Sequence, residues 1–360
     1  MHTIRQKERK KERKKERNFY LDILKAFAIL LVVVGHCIQY GSGEAYAAGT
    51  FFGNPVFKFI YSFHMPLFML ISGYLFSGSL ERTGWRELLM RKVRQLLVPL
   101  FCWSVLMLCI SIGKRLLGLS PEPIGLSWAV RKLASEFLYG PWFLWAIWWC
   151  SLAVILIKTH LRDSIAFYLL CCALTFVIPD SLNLGLYKYM WPFFLLGHLF
   201  RARDWQSKWQ KLYRNQVFIL LIFLMFGLLL CFYDYDSYIY TSGYTILGKP
   251  VLAQISIDLY RFAVGLTGSI AAMYAIHALQ KVLNESHKAL LAHIGQNTLG
   301  IYLVSSQLLN PLLSAVTRNL SGPNLFYILI ESLVILWVSL LLTGILTRSK
   351  WTNRLLLGGR

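Results

Sequence analysis

Charged residues are scarce in this sequence, since only 15% of its 360 residues are Asp, Glu, Lys or Arg. A soluble domain of this size needs a far more polar surface, so the shortage of charge excludes a soluble globular protein. Hydrophobic residues make up 56% of the chain, and its mean hydropathy is +0.52. Apolar segments of about twenty residues recur, each long enough to cross a hydrocarbon core of about 30 Å. The composition predicts a polytopic membrane protein.

Acidic residues are fewer still, with 17 Asp and Glu against 37 Lys and Arg and a net charge of +20. Such a balance can indicate nucleic-acid binding, which requires basic residues gathered on one folded domain. Here the basic residues lie in the N-terminal tail and in short loops between apolar segments. That distribution is typical of the positive-inside rule, so we expect membrane lipid and not nucleic acid as the partner of this charge.

The seven cysteines form neither a CxxC pair nor a Cys/His spacing suited to a metal. Their odd number, and their placement almost entirely inside apolar segments, exclude a disulfide framework or a zinc site. We interpret them as small buried hydrophobic residues and expect no metal.

The apolar segments predict an all-α polytopic integral membrane protein with about ten transmembrane helices. Loops 78–95 and 201–215 are basic, whereas the intervening loops are nearly free of Lys and Arg, apart from Arg131 and Lys132. The positive-inside rule then predicts that both termini are cytosolic. The predicted spans are 19–40, 55–77, 96–117, 137–157, 163–179, 188–200, 216–233, 259–280, 295–315 and 325–347.

Three regions follow from this pattern. Residues 1–18 are predicted to be a basic cytosolic tail that contacts anionic lipid, and not a cleavable signal. Residues 19–347 are predicted to be a single transmembrane domain, and residues 348–360 a second basic cytosolic tail.

The first span, "LDILKAFAILLVVVGHCIQYG", carries ionisable residues at both ends. Lys25 and His36 are eleven positions apart, which places both on one helical stripe, about 16 Å apart along the axis. Asp22 joins that stripe three positions before Lys25. A polar stripe faces the interior of a helical bundle or a watered cavity and not lipid. Two interpretations remain open: a functional site, or an interfacial ion pair with a histidine bonded to a neighbouring helix.

The second span, "FIYSFHMPLFMLISGYLF", contains His64 in its outer half. Because it runs antiparallel to the first span, His64 is predicted to lie at a depth near that of His36. Histidine titrates near neutrality, so two histidines at one level favour proton transfer over packing alone.

"YLDILKAFAILLVVVGH" followed by "YSFHMPLFMLISGYLF" resembles the opening of the acyltransferase-3 family of membrane O-acyltransferases, and more narrowly its fucose 4-O-acetylase-like branch. The family carries a basic residue, ten residues and a histidine, which Lys25 and His36 match. Its Arg-x-x-Arg motif is matched by "RKVR" at 91–94. Similar segments continue to "IGQNTLGIYLV", although Ser305 stands where many members have histidine.

This resemblance implies an O-acetyltransferase of the bacterial cytoplasmic (inner) membrane that consists of the membrane domain alone. The donor would be cytosolic acetyl-CoA, and the acceptor a hydroxyl of a surface polysaccharide or its lipid-linked precursor. His36 is then the expected general base or acyl carrier, and His64 assists the proton path. Lys25, held by Asp22, is expected either to bind the phosphates of coenzyme A or to stabilise charge in the reaction, which places both residues among the catalytic candidates. The pair Arg91 and Arg94 is expected to contact the phosphates of coenzyme A.

Other residues are accessory candidates with alternatives left open. Glu331 in the tenth span either orients a histidine or bonds another helix, because an unpaired carboxylate there is costly. Arg261 either pairs with Asp258 or contacts substrate. The segment 233–245, which contains "YDYDSYIYTSGY", has a composition that suits contact with sugar. The alternative is a hydrated loop without a role in binding. A transporter of a lipid-linked glycan also fits charges inside a bundle, although the paired broken helices of many transporters are not evident.

Overall fold

The computed structural model describes residues 19–119, 123–205, 213–312 and 325–359. Most of these residues are helical, and no strand occurs among them, which confirms the predicted all-α class. The predicted N-terminal tail, residues 1–18, lies outside the described residues.

The principal helices are numbered in chain order. They are α1 (Phe19–Gly41), α2 (Pro55–Arg82), α3 (Trp85–Leu116), α4 (Leu126–Tyr139), α5 (Trp142–His160), α6 (Ile165–Thr175), α7 (Leu184–Ala202), α8 (Gln216–Cys231), α9 (Val251–Val282), α10 (Glu285–Gln296), α11 (Thr298–Val304), α12 (Leu325–Arg348) and α13 (Lys350–Leu357). Short helical turns at Ala48–Phe51 and Ile239–Ser242 lie in the connections after α1 and α8.

Six of these helices are long and apolar enough to cross a membrane: α1, α2, α3, α5, α9 and α12. Two further apolar helices, α6 and α8, are shorter. A polytopic membrane protein is therefore confirmed. Each of the ten predicted spans overlaps a helix, but the count of ten crossings and the cytosolic position of both termini stay predictions.

The outward faces of the peripheral helices are apolar. On α8, the side chains of Leu220, Leu224 and Leu228 are exposed, and on α12 those of Leu333 and Trp337 are exposed. Side chains of this kind belong in lipid, which is as apolar as leucine itself. The exposed apolar surface is what a bundle surrounded by hydrocarbon requires.

Helices α2 and α7 cross in close contact at two glycines. A Cβ atom at Gly73 would overlap the carbonyl oxygen of Phe194, and one at Gly197 would overlap the carbonyl oxygen of Leu70. Small residues at such crossings let two backbones approach, which strengthens van der Waals packing inside a membrane. This crossing fixes the helix that carries His64.

Helix α10 packs against α1 through Gly295. A Cβ atom at this position would overlap the carbonyl oxygen of Asp22. The Gln296 Nε2 atom donates to Asp22 Oδ2 at 3.3 Å, directly beside this contact. The segment "IGQNTLG" thus braces the first turn of the helix that carries Lys25 and His36.

Gly295→Ala is expected to lower the stability of the protein by about 1–3 kcal/mol, because the added methyl group has no room against the backbone of α1. Thermal unfolding of detergent-purified protein measures the effect as a lower midpoint. Gly344→Ala is the matched control, because no atom lies within 4 Å of a Cβ built there. An unchanged midpoint for Gly295→Ala would contradict the close packing of α10 on α1.

Two segments of π-helix interrupt the regular helices. One, Val93–Leu97, lies inside α3 and contains Arg94, and the other, Ser305–Leu309, continues α11. Such insertions are often found at functional sites, since they re-aim the side chains that follow them.

The C-terminal region packs against α3. The indole Nε1 of Trp103 donates to the carbonyl oxygen of Leu356 at 3.0 Å, and Gly358 lies against the backbone of Gln95. The residues predicted as a basic tail after 348 therefore include an ordered helix, α13, beside the segment that contains Arg91 and Arg94.

Candidate functional site

A cavity of about 1420 Å³ opens between α1, α2, α3, α4, α7 and α11, with residues 233–241 forming a further wall. His36 and His64 both line it. The sequence placed these histidines at a similar depth, and the structure brings them to one cavity. The tyrosines that line it are Tyr40, Tyr46, Tyr61, Tyr139, Tyr189, Tyr233, Tyr235, Tyr238, Tyr240 and Tyr302.

The hydrogen bond of His64 fixes its tautomer. Its Nδ1 atom lies 2.7 Å from the carbonyl oxygen of Ile60, one turn earlier on α2. A carbonyl oxygen only accepts, so Nδ1 must carry the hydrogen and donate it. In the neutral ring the lone pair then resides on Nε2. His64 is 2% exposed, so its ring is held in this orientation by its surroundings.

His36 lies half-buried on α1 and has no such restraint. Its Nδ1 atom is buried and makes no hydrogen bond to any residue that the structure describes. The ring contacts Tyr40 edge to face, with the centroids 6.3 Å apart. Because His36 lines the cavity, this nitrogen is available for a hydrogen bond to a molecule bound there.

Tyr61 connects the two histidine-bearing helices. Its ring lies 4.7 Å from the ring of His64, and its hydroxyl donates to Gln39 Oε1 on α1 at 3.0 Å. This contact depends on Gly35, because a Cβ there would lie only 2.7 Å from the Tyr61 ring. The glycine before His36 therefore admits an aromatic ring between the two helices.

The 233–241 segment supplies a wall of aromatic and hydroxyl groups. Burial raises the pKa of the Tyr238 phenol well above the usual value, so it remains a protonated hydrogen-bond donor at neutral pH. Tyr238 packs against Tyr61, with ring centroids 5.8 Å apart. The segment is thus continuous with the ring that contacts His64.

Asp22 and Lys25 lie near the beginning of α1, away from the cavity. Lys25 Nζ and Asp22 Oδ1 form an ion pair of 2.7 Å, a contact that both interpretations of this stripe include. Neither residue is among those that line the cavity in the described part of the chain. Between Lys25 and His36, the side chains of Ile29 and Val33 are each 1% exposed, so the stripe between the two ends is packed and closed.

Arg91 and Arg94 also lie apart from the histidines. Arg91 is ion-paired with Glu87 at 2.7 Å on the first turns of α3, and Arg94 is exposed in the π-helical segment. Neither lines the cavity within the described residues. Their role toward a donor stays a prediction.

Glu331 and Arg261 do not line the cavity either. Glu331 is half-buried on α12. Arg261 is 1% exposed and forms a 2.7 Å ion pair with Asp258, so the predicted ion pair is present. Among the described residues, no group of three or more His, Cys, Asp and Glu side chains lies together in a way that could hold a metal ion.

Sequence reasoning missed several residues that line the cavity. Gln307 and Ser306 reach it from the π-helical segment, whereas Ser305 is fully buried and does not line it. A π-helical insertion shifts the register of a helix. The regular period of an α-helix therefore does not predict which side chains of this segment face the cavity. The glycine next to His36, Gly35, was the one sequence feature that could have indicated that a large side chain, here Tyr61, packs against α1 at this point.

Comparison with known proteins gives a consistent set of relatives. A family model described as an acyltransferase domain matches residues 18–346. The chain is 29% identical over 304 residues to nodulation protein NolL of Mesorhizobium japonicum, covering 79% of this chain and 74% of that protein. It is 30% identical over 292 residues to nodulation protein NolL of Sinorhizobium fredii, covering 79% and 75%. No solved structure matches the chain.

Proposed function

The chain belongs to the acyltransferase-3 family of membrane acyltransferases, and from that premise we propose that it is an O-acetyltransferase. It would transfer an acetyl group from cytosolic acetyl-CoA to a hydroxyl of a surface polysaccharide or of its lipid-linked precursor. The observation that carries this proposal is that His36 and His64 line the same cavity inside a membrane bundle. Two imidazoles at one cavity supply the proton transfers that ester formation requires.

In the proposed reaction, an imidazole nitrogen removes the proton from the acceptor hydroxyl as its oxygen attacks the thioester carbonyl. The tetrahedral intermediate then collapses, the carbon–sulfur bond breaks, and the thiolate of coenzyme A takes up the proton. His36 is the proposed base, or the carrier of the acetyl group on its ring. His64, with Nδ1–H donated to Ile60, offers Nε2 as an acceptor that can relay the proton.

The proposed donor site lies at the other end of α1. Lys25, oriented by Asp22, and Arg91 with Arg94 would bind the phosphates of coenzyme A, since charge-assisted bonds to phosphate are the strong ones. Arg94 is exposed and Arg91 sits beside it, so both can be reached from the aqueous phase. The packed stripe at Ile29 and Val33 requires that donor binding move these side chains, or the helices around them, before the thioester meets His36.

The proposed acceptor site is the tyrosine-rich part of the cavity. Aromatic rings contact the apolar faces of sugars, and neutral phenols donate hydrogen bonds to their hydroxyls. Lys114 and Lys132 also line this part of the cavity, with Lys132 paired to Glu136 at 2.7 Å. The two relatives are from bacteria, which supports a bacterial cytoplasmic membrane as the location.

Detergent-purified protein is expected to bind coenzyme A and to release free thiol from acetyl-CoA when a glycan acceptor is present. Binding through phosphate contacts should weaken as salt rises, because exposed charges are screened. The measurements are calorimetric binding of coenzyme A at two salt concentrations and colorimetric thiol release with a panel of methyl glycosides. Movement of a lipid-linked glycan across liposomes, without any thiol release, would instead favour a transporter.

A further inference from the structure

Arg261 is a buried charged side chain close to the cavity, although it does not line the cavity itself. It is 1% exposed on α9, and its guanidinium donates to four backbone carbonyls within residues 236–243. The bonds run from Nε to Ser237 at 2.8 Å, from Nη1 to Gly243 at 2.6 Å and from Nη2 to Asp236 at 2.9 Å.

Further bonds complete the hydrogen-bonding capacity of this guanidinium. Nη2 also donates to the carbonyl oxygen of Tyr238 at 3.3 Å and to the Ser242 hydroxyl, and Nη1 donates to Asp258 Oδ1 at 2.7 Å. Arginine has five N–H donors in a rigid planar fork, a number that lysine does not match. The six contacts share these five hydrogens, because Nη2 has three acceptors for its two N–H groups. The fork thus joins residues 236–243, called here the tyrosine segment, into one rigid unit.

The counter-charge is itself tied to the tyrosine segment. Asp258 is 3% exposed and accepts a bond from Gln254 Nε2 at 3.0 Å, while the same amide lies 3.2 Å from the carbonyl oxygen of Gly243. A buried ion pair with all its polar atoms satisfied is a weak source of net stability but a strong source of unique geometry. The arrangement therefore specifies the shape of this segment.

A second anchor holds the chain immediately after the tyrosine segment. Asp180 Oδ2 accepts from the backbone N–H groups of Tyr244 at 2.7 Å and Thr245 at 3.0 Å, and its Oδ1 pairs with Lys188 at 2.6 Å. Partial burial opposes ionisation of Asp180, but these bonds outweigh it and lower its pKa. Residues 236–238 are held by Arg261 together with Asp234, whose Oδ1 accepts from the backbone N–H of Ser237 at 2.9 Å and from its hydroxyl at 2.5 Å. Within this stretch, Ser237 and Tyr238 line the cavity.

The opposite face of the tyrosine segment forms the cavity wall. Ser237, Tyr238, Tyr240 and Thr241 line the same cavity as His36 and His64. Buried backbone carbonyls bonded to Arg261 fix the directions in which these side chains leave the chain. The guanidinium thus sits behind the wall and sets its form without meeting a ligand.

We propose that Arg261 is a positioning residue that holds the tyrosine segment as a preformed wall for a saccharide acceptor. This rests on the proposed O-acetyltransferase function and adds the site at which the acceptor is selected. The donor end of α1 is not touched by this network, so acceptor use depends on Arg261 and donor binding does not.

The test compares Arg261→Gln and Arg261→Lys with the wild-type protein and with Arg201→Gln as the matched control. Arg201 is another arginine in an ion pair, 3.2 Å from Glu81, but it lies on α7 away from the cavity. Initial rates of thiol release are measured while either acetyl-CoA or a methyl glycoside is varied. Hydrogen exchange of residues 236–243 is followed by mass spectrometry on the same samples.

Arg261→Gln is expected to lower acceptor kcat/KM by about 100-fold, since a displacement of about 1 Å in a positioned group has effects of that size. The donor KM and coenzyme A binding should remain at the wild-type values, and exchange in the tyrosine segment should quicken. Arg261→Lys should recover part of the acceptor use, because it keeps the charge but not the fork. Arg201→Gln should behave as wild type in every measurement.

Two results would overturn the inference while leaving the proposed function intact. One is an active Arg261→Gln protein with wild-type acceptor KM and unchanged exchange in residues 236–243. The other is an equal loss of donor binding and acceptor use, which would mean that Arg261 supports the bundle as a whole. Absence of acceptor-dependent thiol release in the wild-type protein would overturn the proposed function itself, and the acceptor role of Arg261 with it.

Discussion

His36→Ala is expected to reduce acetyl transfer by about 10²–10⁴-fold, the usual contribution of a positioned acid–base group. His36 lines the cavity, and its buried Nδ1 atom makes no hydrogen bond to a described residue. Its removal therefore takes away a proton acceptor for the reaction but no hydrogen bond of that nitrogen that supports the fold. The measurement is acceptor-dependent thiol release by purified protein, with insertion and monodispersity in detergent checked first.

Cys37→Ala is the matched control for this change. Cys37 follows His36 on α1, is fully buried, and does not line the cavity among the described residues. It should keep most of the activity at some expense of stability, since a small buried side chain is truncated. A His36→Ala protein with transfer rates close to those of the wild type would remove His36 from the chemistry. His64 would then be the one histidine left on this cavity wall among the described residues.

Lys25→Glu is expected to abolish transfer and to weaken binding of coenzyme A by at least about 10-fold. The substitution replaces the cation of a 2.7 Å pair with a second carboxylate beside Asp22, and it also opposes donor phosphates. Lys25→Arg keeps the charge and should retain much of the activity, although the donor geometry of the two side chains differs. Calorimetric binding of coenzyme A and thiol-release kinetics measure both variants.

Lys288→Glu separates this effect from charge reversal in general. Lys288 also pairs with a carboxylate three positions earlier, Glu285, at 2.8 Å, but it lies on α10 and is not a proposed donor contact. It should leave donor binding unchanged. Wild-type coenzyme A binding by Lys25→Glu would assign Lys25 to the interfacial ion pair alone.

Helical periodicity and hydropathy predicted much of the bundle, because each apolar span is a local property of twenty or so residues. They also predicted that His36 and His64 lie at a similar depth, since antiparallel neighbours place their outer halves at one level, and both line one cavity. Six helices meet the length and hydropathy of a crossing, while α6 spans only 11 residues, a distinction that composition alone did not make.

The remainder of the site depends on contacts between distant parts of the chain. Helical geometry alone predicts that Lys25 and His36 share a stripe of α1. It does not predict that Ile29 and Val33 between them are buried, because that depends on how other helices pack against α1. Arg261 was correctly paired with Asp258 from their spacing, yet its bonds to backbone carbonyls more than twenty positions earlier leave no periodic trace. Gln307 reaches the cavity through a π insertion, which no sequence period foretold.

The buried apolar residues between Lys25 and His36 on α1 also affect how easily protons could cross the membrane through this protein. Imidazoles that relay protons are a hazard in a coupling membrane, because a continuous file of titratable groups would discharge the proton-motive force. Lys25 and His36 do not form such a continuous path. The side chains of Ala28, Ile29 and Val33, which lie between them on α1, are apolar and buried. The proposed acetyltransferase would then pass few protons at rest, and any opening that admits the proposed thioester donor would have to be brief or filled by the donor itself.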